Sequence, residues 1–196
     1  MMSHDPSQPP RSGTNTVLWV VLGVVGFCAV GGVLVIAAAL FPVFRTARGA
    51  AQKTATLSNS KQSALAALMY SADWNDRLPL DNVWMDALSP YIKNEMVFHS
   101  LAIEKPGPNV YGFAFRRDLV EKKLAKIPDP DRWAMIFESV NVARNATTNL
   151  ESLPVPGRWP SATGRQNVVA FVDGHAKLMQ DNPTAIAQMT GKPVPK

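Results

Sequence analysis

Between Ser12 and Phe44 the chain reads Ser-Gly-Thr-Asn-Thr-Val-Leu-Trp-Val-Val-Leu-Gly-Val-Val-Gly-Phe-Cys-Ala-Val-Gly-Gly-Val-Leu-Val-Ile-Ala-Ala-Ala-Leu-Phe-Pro-Val-Phe, without one charged residue. Its apolar part, Val17 to Leu40, is 24 residues long. At about 1.5 Å per residue it covers roughly 30 Å of hydrocarbon with tilt to spare. Backbone in lipid must satisfy its own hydrogen bonds, so the stretch is expected to be a transmembrane helix over 16–44. Trp19 near one end and Phe41 and Phe44 near the other suit the two interfaces. A cleaved signal peptide has a much shorter apolar region, although Ala37-Ala38-Ala39 imitates its cleavage site. Cys28, preceded by Phe27 and followed by more apolar residues, reads as a small packing residue rather than a lipid attachment point.

The remaining composition bounds the rest. The chain has 196 residues, 20 Lys+Arg against 15 Asp+Glu, three His and one Cys. A single cysteine excludes a disulfide framework and a zinc site of clustered thiolates. The pI near 9.5 raises the question of nucleic acid or anionic lipid, but the net charge of +5 is modest for the length. Arg45, Arg48, Lys53 and Lys61 follow the apolar stretch, and a literal positive-inside count puts the larger part in the cytoplasm.

Residues 1–15 read as a short disordered tail. From Arg45 to Trp74 the helical period continues, with Leu57, Ala64, Leu65, Leu68, Met69 and Ala72 as the stripe to be covered. Pro42 marks a kink or break, and Arg77-Leu-Pro79 ends the stalk helix, placed at 45–76. A short helix is expected over 82–93 from Trp84, Leu88 and Tyr91, and a loop through Pro106-Gly-Pro108. Strands are expected at Val110–Phe115, Trp133–Phe137, Val168–Val172 and His175–Met179. Asp173-Gly174 joins the last two as a two-residue primed turn. Asn141–Gly164, rich in Asn, Thr, Ser and Pro, reads as a long mobile loop. Residues 181–196 read as a tail with a helix-sized piece from Pro183 to Met189.

Taken in order, these tracts resemble a known group. The apolar helix is followed by Leu40-Phe-Pro-Val-Phe-Arg-Thr-Ala-Arg48, Leu57-Ser-Asn-Ser-Lys-Gln62 and Ala66-Ala-Leu-Met-Tyr70. Asp73-Trp-Asn-Asp-Arg-Leu-Pro79, Trp84-Met-Asp-Ala-Leu88, Tyr111-Gly-Phe113 and Phe171-Val-Asp-Gly-His-Ala-Lys177 complete the series. Together they resemble bacterial type IV pilin-like and type II secretion pseudopilin-like proteins, in particular the group with a C-terminal His-(nine residues)-Asp-Gly motif. The resemblance implies a cytoplasmic N-terminus, a globular part outside the cytoplasmic membrane over 45–180, and a structural role alongside other pilin-like or secretion-system membrane proteins. Phe171, Asp173, Gly174 and His175 stand as the family motif, in a structural hairpin. The chain departs from the family where Thr163 stands ten residues before Asp173, His99-Ser100 stands for Cys-Pro, and no Glu occurs in the apolar run. It therefore reads as an uncleaved, permanently anchored relative.

Chemistry-bearing patterns are sparse. Asp173 and His175 share one face of a strand by the period of two, so carboxylate and imidazole can converge; a turn carboxylate facing solvent is the plainer reading. His99 and Glu138 are not tied to that hairpin by spacing, so no metal or cofactor is expected, and no nucleophile elbow or phosphate-cradling loop occurs. Tyr111, Phe113 and Phe115 beside Arg116 and Arg117 imitate a single-strand nucleic-acid platform. Packing against the helix is the simpler use of such alternation, and no nucleic-acid partner is expected. The resulting expectation is an α+β protein, a long helix packed on a small antiparallel sheet, in contact with the lipid bilayer and without catalysis. A membrane-tethered binding module using the 141–164 loop is the alternative.

Overall fold

The computed structural model describes residues 14–103 and 107–191; the expected tail before Thr14 and Pro106 of the expected loop lie outside them. The chain divides into two compact units, Met1–Arg48 and Gly49–Lys196. Helix α1, Thr14–Asp73, begins in the first and ends in the second. Pro42 lies inside it, and the Thr46 hydroxyl donates to the Pro42 carbonyl at 3.0 Å. In the first unit every described side chain from Thr16 onward is exposed except at Gly31.

The second unit is a six-stranded mixed sheet with short helices. Its strands are β1 (Phe113–Arg116), β2 (Ala134–Glu138), β3 (Thr147–Thr148), β4 (Trp159–Ser161), β5 (Gly164–Phe171) and β6 (Ala176–Gln180). The order is β3-β1-β2-β5-β4, with β6 also pairing β5. Along β5, β2 takes Val169–Phe171 and β4 takes Gly164–Gln166, while β6 spans Gln166–Ala170. An all-antiparallel sheet was the expectation; β3 instead runs parallel to β1. It is a two-residue stretch of the 141–164 segment, which the sequence presents as a mobile loop. That segment is packed, with Ala146, Leu150, Leu153 and Trp159 buried. Its Asn, Ser and Pro residues shape turns between these anchors.

Both faces of the central strands are covered, and β1 and β2 are buried at every position. One face carries Phe113, Phe115, Met135, Ile136, Val168 and Ala170 with Ala64, Ala67 and Tyr70 of α1 and Trp84 and Leu88 of helix α2 (Trp84–Leu88). The other carries Ala114, Phe137, Val169 and Phe171 with Leu150, Leu153 and Ala185 and Met189. Met135 and Ile136 are adjacent yet face the same way because a β-bulge interrupts the register between Ala134 and Ile136. Helix α3, Pro183–Gln188, contributes Ala185 to the second face. The folded unit thus extends past residue 180, where the sequence reads as a tail. Arg116 secures this end: its guanidinium donates to the Met189 and Thr190 carbonyls and lies 4.8 Å over the Trp133 ring.

The buried stripe of α1 differs from the one the large residues predict. Thr56, Ser60, Ser63, Ala64, Ala67 and Ser71 are buried, whereas Leu65, Met69 and Ala72 are exposed and Leu57 and Leu68 half-buried. The sheet and α2 present large aromatic side chains on this side, so the helix meets them with small ones and core volume is conserved. Thr56 and Ser63 of this stripe, and half-buried Asn59 beside it, bond the backbone of the 96–101 segment. Asn59 donates to the Met96 and His99 carbonyls, Ser63 to that of Val97, and Thr56 accepts from the Leu101 N–H. The helix ends at Asp73, and Asn75 and Asp76 reverse the chain at positive φ.

Helix α2 is held from a distance. No local side chain caps it; instead Asn145 Oδ1 accepts from the Met85 and Asp86 N–H groups at 2.7 and 3.3 Å. Asn145→Ala should therefore cost about 1–2 kcal/mol, as cap removal does, measured by thermal unfolding of the detergent-solubilised chain.

Candidate functional site

Family resemblance directs attention to the turn between β5 and β6. Phe171 N–H donates to the His175 carbonyl at 2.9 Å, and Gly174 N–H to the Phe171 carbonyl at 3.0 Å. These bonds define a three-residue loop, Val172–Gly174, with glycine in the left-handed region (φ +88). The expected two-residue primed turn needs Asp173 at positive φ as well, and only Gly174 is there. Glycine is required for a second reason: a Cβ on Gly174 meets Leu65 and Leu68 of α1 at 3.0 and 3.1 Å.

Asp173 and His175 converge, through the fold of the loop and not through strand periodicity. Asp173 Oδ1 accepts the His175 N–H at 3.1 Å and lies 2.5 Å from its ring Nδ1. The His175 ring is stacked on Phe171, centroids 4.4 Å apart, and the Lys177 ammonium lies 4.7 Å from the same Phe171 ring centroid. Asp173 is thus a partner of the imidazole rather than a purely solvent-facing turn residue. Its bonds orient the ring; they bring no nucleophile or further ligand to it. Among the described residues no group of three or more His, Cys, Asp and Glu comes together.

Tyr111 and the aromatics of β1 form no platform for bases: Tyr111, Phe113 and Phe115 are buried, as is Arg116. Tyr111 instead joins a surface network. Arg144 donates to Asp86 through Nε and Nη2 at 3.0 and 2.7 Å, and through Nη1 to Glu95 and to the Tyr111 hydroxyl. These bonds hold the Asp86 and Glu95 carboxyls below the usual carboxylate range. Asn145 is buried against α2.

The most concentrated polar chemistry is internal, at Glu138. This carboxylate is fully buried at the end of β2. Oε1 accepts from the Ser100 hydroxyl at 2.5 Å, and Oε2 from Trp159 Nε1 at 3.0 Å and the Val168 N–H at 2.7 Å. One side chain therefore ties β2 to β4, to β5 and to the 96–101 segment seated on α1. Burial pushes its carboxyl above the ordinary carboxylate range, against the opposing pull of the three donors and of Arg158. Beside it, Arg158 donates to the Ser139 carbonyl, and buried Asn167 accepts from Arg158 N–H and donates to the Pro154 carbonyl. Both oxygens of Glu138 accept hydrogen bonds from three separate segments, so the arrangement holds strands together. Sequence reasoning passes over it because the partners lie 38, 21 and 30 residues away.

Compared with models of protein families, with curated proteins and with solved structures, the chain matches none of them.

Two expectations follow. Gly174→Ala should destabilise the chain by about 1–3 kcal/mol, from the strained φ and the contact with α1. Thermal unfolding against wild type reads this. At Glu138, Leu should cost several kcal/mol, about 2–4, by leaving the Trp159 and Val168 donors unpaired. Gln keeps an acceptor for them and donates to Ser100, so it should be tolerated. A raised folded-state pKa means the folded chain binds the proton more tightly than the unfolded one. That contribution is complete below the ordinary value of 4.5 and is lost as pH rises through the folded pKa. Wild type should therefore lose stability relative to Glu138→Gln as pH rises from about 4.5, read by denaturant titrations at stepped pH.

Proposed function

We propose that this protein is a single-pass, membrane-anchored, pseudopilin-like component of a bacterial envelope that acts by assembly with other membrane proteins and not by catalysis. The observation that carries the reading is the apolar part of α1. It is long and apolar enough to cross a membrane. Its large side chains from Val17 to Phe44 are 46–81% exposed. In water that surface is a heavy penalty; in hydrocarbon each Leu, Ile, Phe or Val is favourable by about 0.3–0.6 kcal/mol at the centre of a span. The α+β unit that follows, with its hairpin at Phe171–His175, agrees with the resemblance. Asp173 and His175 orient each other and Glu138 is enclosed by bonds, which supports a structural role.

In this reading the N-terminus is cytoplasmic and the Gly49–Lys196 unit lies outside, as the order of family-like tracts implies and against the simple charge count. The tethered binding module has no comparable support, because the 141–164 segment that was to serve it is packed into the fold.

Three experiments test the proposal. The full-length chain should remain with membranes after carbonate extraction. Val25→Arg with Leu34→Arg should abolish that retention, since each central charge costs about 2.5–3.5 kcal/mol. In spheroplasts, protease added outside should digest the Gly49–Lys196 unit; protection until lysis reverses the orientation. Chemical cross-linking in membranes should yield high-mass species, and a chain that stays wholly monomeric there removes the assembly role.

A further inference from the structure

Where α1 ends, a hollow opens that the hairpin, the Glu138 cluster and the anchor leave unused. Its volume is about 230 Å³, and Tyr70, Trp74, Arg77, Leu78, Leu80 and Glu121 line it. That is smaller than the roughly 300–1,000 Å³ of a drug-sized ligand's pocket and suits a single ring. Trp74 is stacked on Tyr70, with ring centroids 5.4 Å apart and planes 9° from parallel, and Tyr91 meets Tyr70 edge-on at 6.2 Å. Tyr91 is fixed in turn by donating to Asp73 at 2.8 Å. Tyr70 and Leu78 are buried, whereas Trp74 is 57% and Leu80 48% exposed. A braced indole left this open presents ring surface to a ligand.

The polar wall is held as firmly, and its functional groups are uncommitted. Leu78 N–H donates to the Lys122 carbonyl at 3.0 Å, and Glu121 N–H to the Pro79 carbonyl at 3.2 Å. Arg77 gives one guanidinium N–H to the Glu121 main-chain carbonyl at 3.3 Å, and the rest of its fork remains. Glu121 itself lies in the left-handed region at φ +55, where glycine is the less costly residue. Backbone strain of this kind collects at ligand sites. Among the described residues the Tyr70 hydroxyl and the Glu121 carboxylate take part in no hydrogen bond. Burial, and after it the Glu121 charge, push the Tyr70 hydroxyl above the ordinary phenol range, so it stays a donor.

These groups select the occupant. It offers an apolar ring face to Trp74, with donors and acceptors around its edge. It is neutral, since Glu121 repels an anion and Arg77 a cation. A pyranose meets each condition. Its axial C–H groups form a face whose weakly positive hydrogens suit the negative face of an indole, and its hydroxyls both donate and accept. A β-glucoside, with every substituent equatorial, presents the least obstructed face. We propose that this hollow binds a neutral pyranoside of β-gluco configuration, with Trp74 packed on the sugar ring and Tyr70, Arg77 and Glu121 bonded to its hydroxyls. The site lies within the Gly49–Lys196 unit and stands independently of the membrane reading.

Saturation-transfer NMR on the full-length chain tests it, in micelles with phosphocholine heads so that no sugar detergent competes. The probe is cellotetraose, and sorbitol, which has the hydroxyls without the ring, is the control. Irradiating the protein should saturate the axial ring protons of cellotetraose most strongly and leave sorbitol unsaturated. Trp74→Ala should weaken binding about tenfold, and Trp74→Phe less, because a ring remains. Glu121→Gly separates binding from folding, since glycine takes φ +55 without strain. It should keep or raise the thermal unfolding midpoint and still weaken binding about fivefold, by loss of a hydrogen bond. The proposal is overturned if cellotetraose shows no saturation with wild type, or if sorbitol is saturated equally. Binding unchanged in whichever of Trp74→Ala and Glu121→Gly folds overturns it as well. So does saturation of adenosine or of a proline-rich peptide in place of the sugar. None of these outcomes alters the carbonate, protease or cross-linking readouts of the anchor and its assembly.

Discussion

A sheet whose central strands are buried on both sides needs two independent coverings, and the Gly49–Lys196 unit is organised around that need. On one side α1 and α2 lie over Phe113, Phe115 and Ile136. On the other, Leu150, Leu153, Ala185 and Met189 lie over Phe137, Val169 and Phe171. The second covering comes from segments that look like connections, which is why they are ordered. It also leaves no wet face for a polar strand residue. Arg116 and Glu138, the charged residues at the ends of β1 and β2, must find partners in the interior. Each does so by binding a distant segment, Arg116 the C-terminal carbonyls and Glu138 the β4 and β5 donors. The cost of burying a charge is thereby converted into long-range order.

Features with a local cause were legible in the sequence. The apolar stretch required only a count of uncharged residues, and α1 is the result. Strand positions at β1, β2, β5 and β6 followed from short apolar runs and the Asp-Gly pair. The contact of Asp173 with His175 did not: the sequence favoured a turn carboxylate facing solvent, whereas the loop folds the Asp173 carboxylate back onto the His175 N–H and ring. The turn type did not, because Val172 N–H is drawn to the Trp133 carbonyl of a neighbouring segment, and the hairpin closes one residue wider.

Features with a distant cause were not legible. The stripe on α1 was read from Leu and Met, whereas the partner surface is aromatic and selects Ala, Ser and Thr. The 141–164 segment has the composition of a loop, and only Ala146, Leu150, Leu153 and Trp159 betray its anchoring. Arg144 and Asn145 look like loop polar residues, yet their partners at Asp86 and Met85 lie 58 and 60 residues away. No pattern within a window of the chain encodes such pairings.

The polar groups on the buried face of α1 have a mechanical meaning. An interface of leucines can slip by a helical turn and still exchange one apolar contact for another. Thr56, Asn59 and Ser63 instead address particular carbonyls and an amide of the 96–101 backbone. Translation along the helix axis would break these bonds together and bury their polar atoms unpaired. The contact behaves as a keyed joint, indexed at a single axial setting.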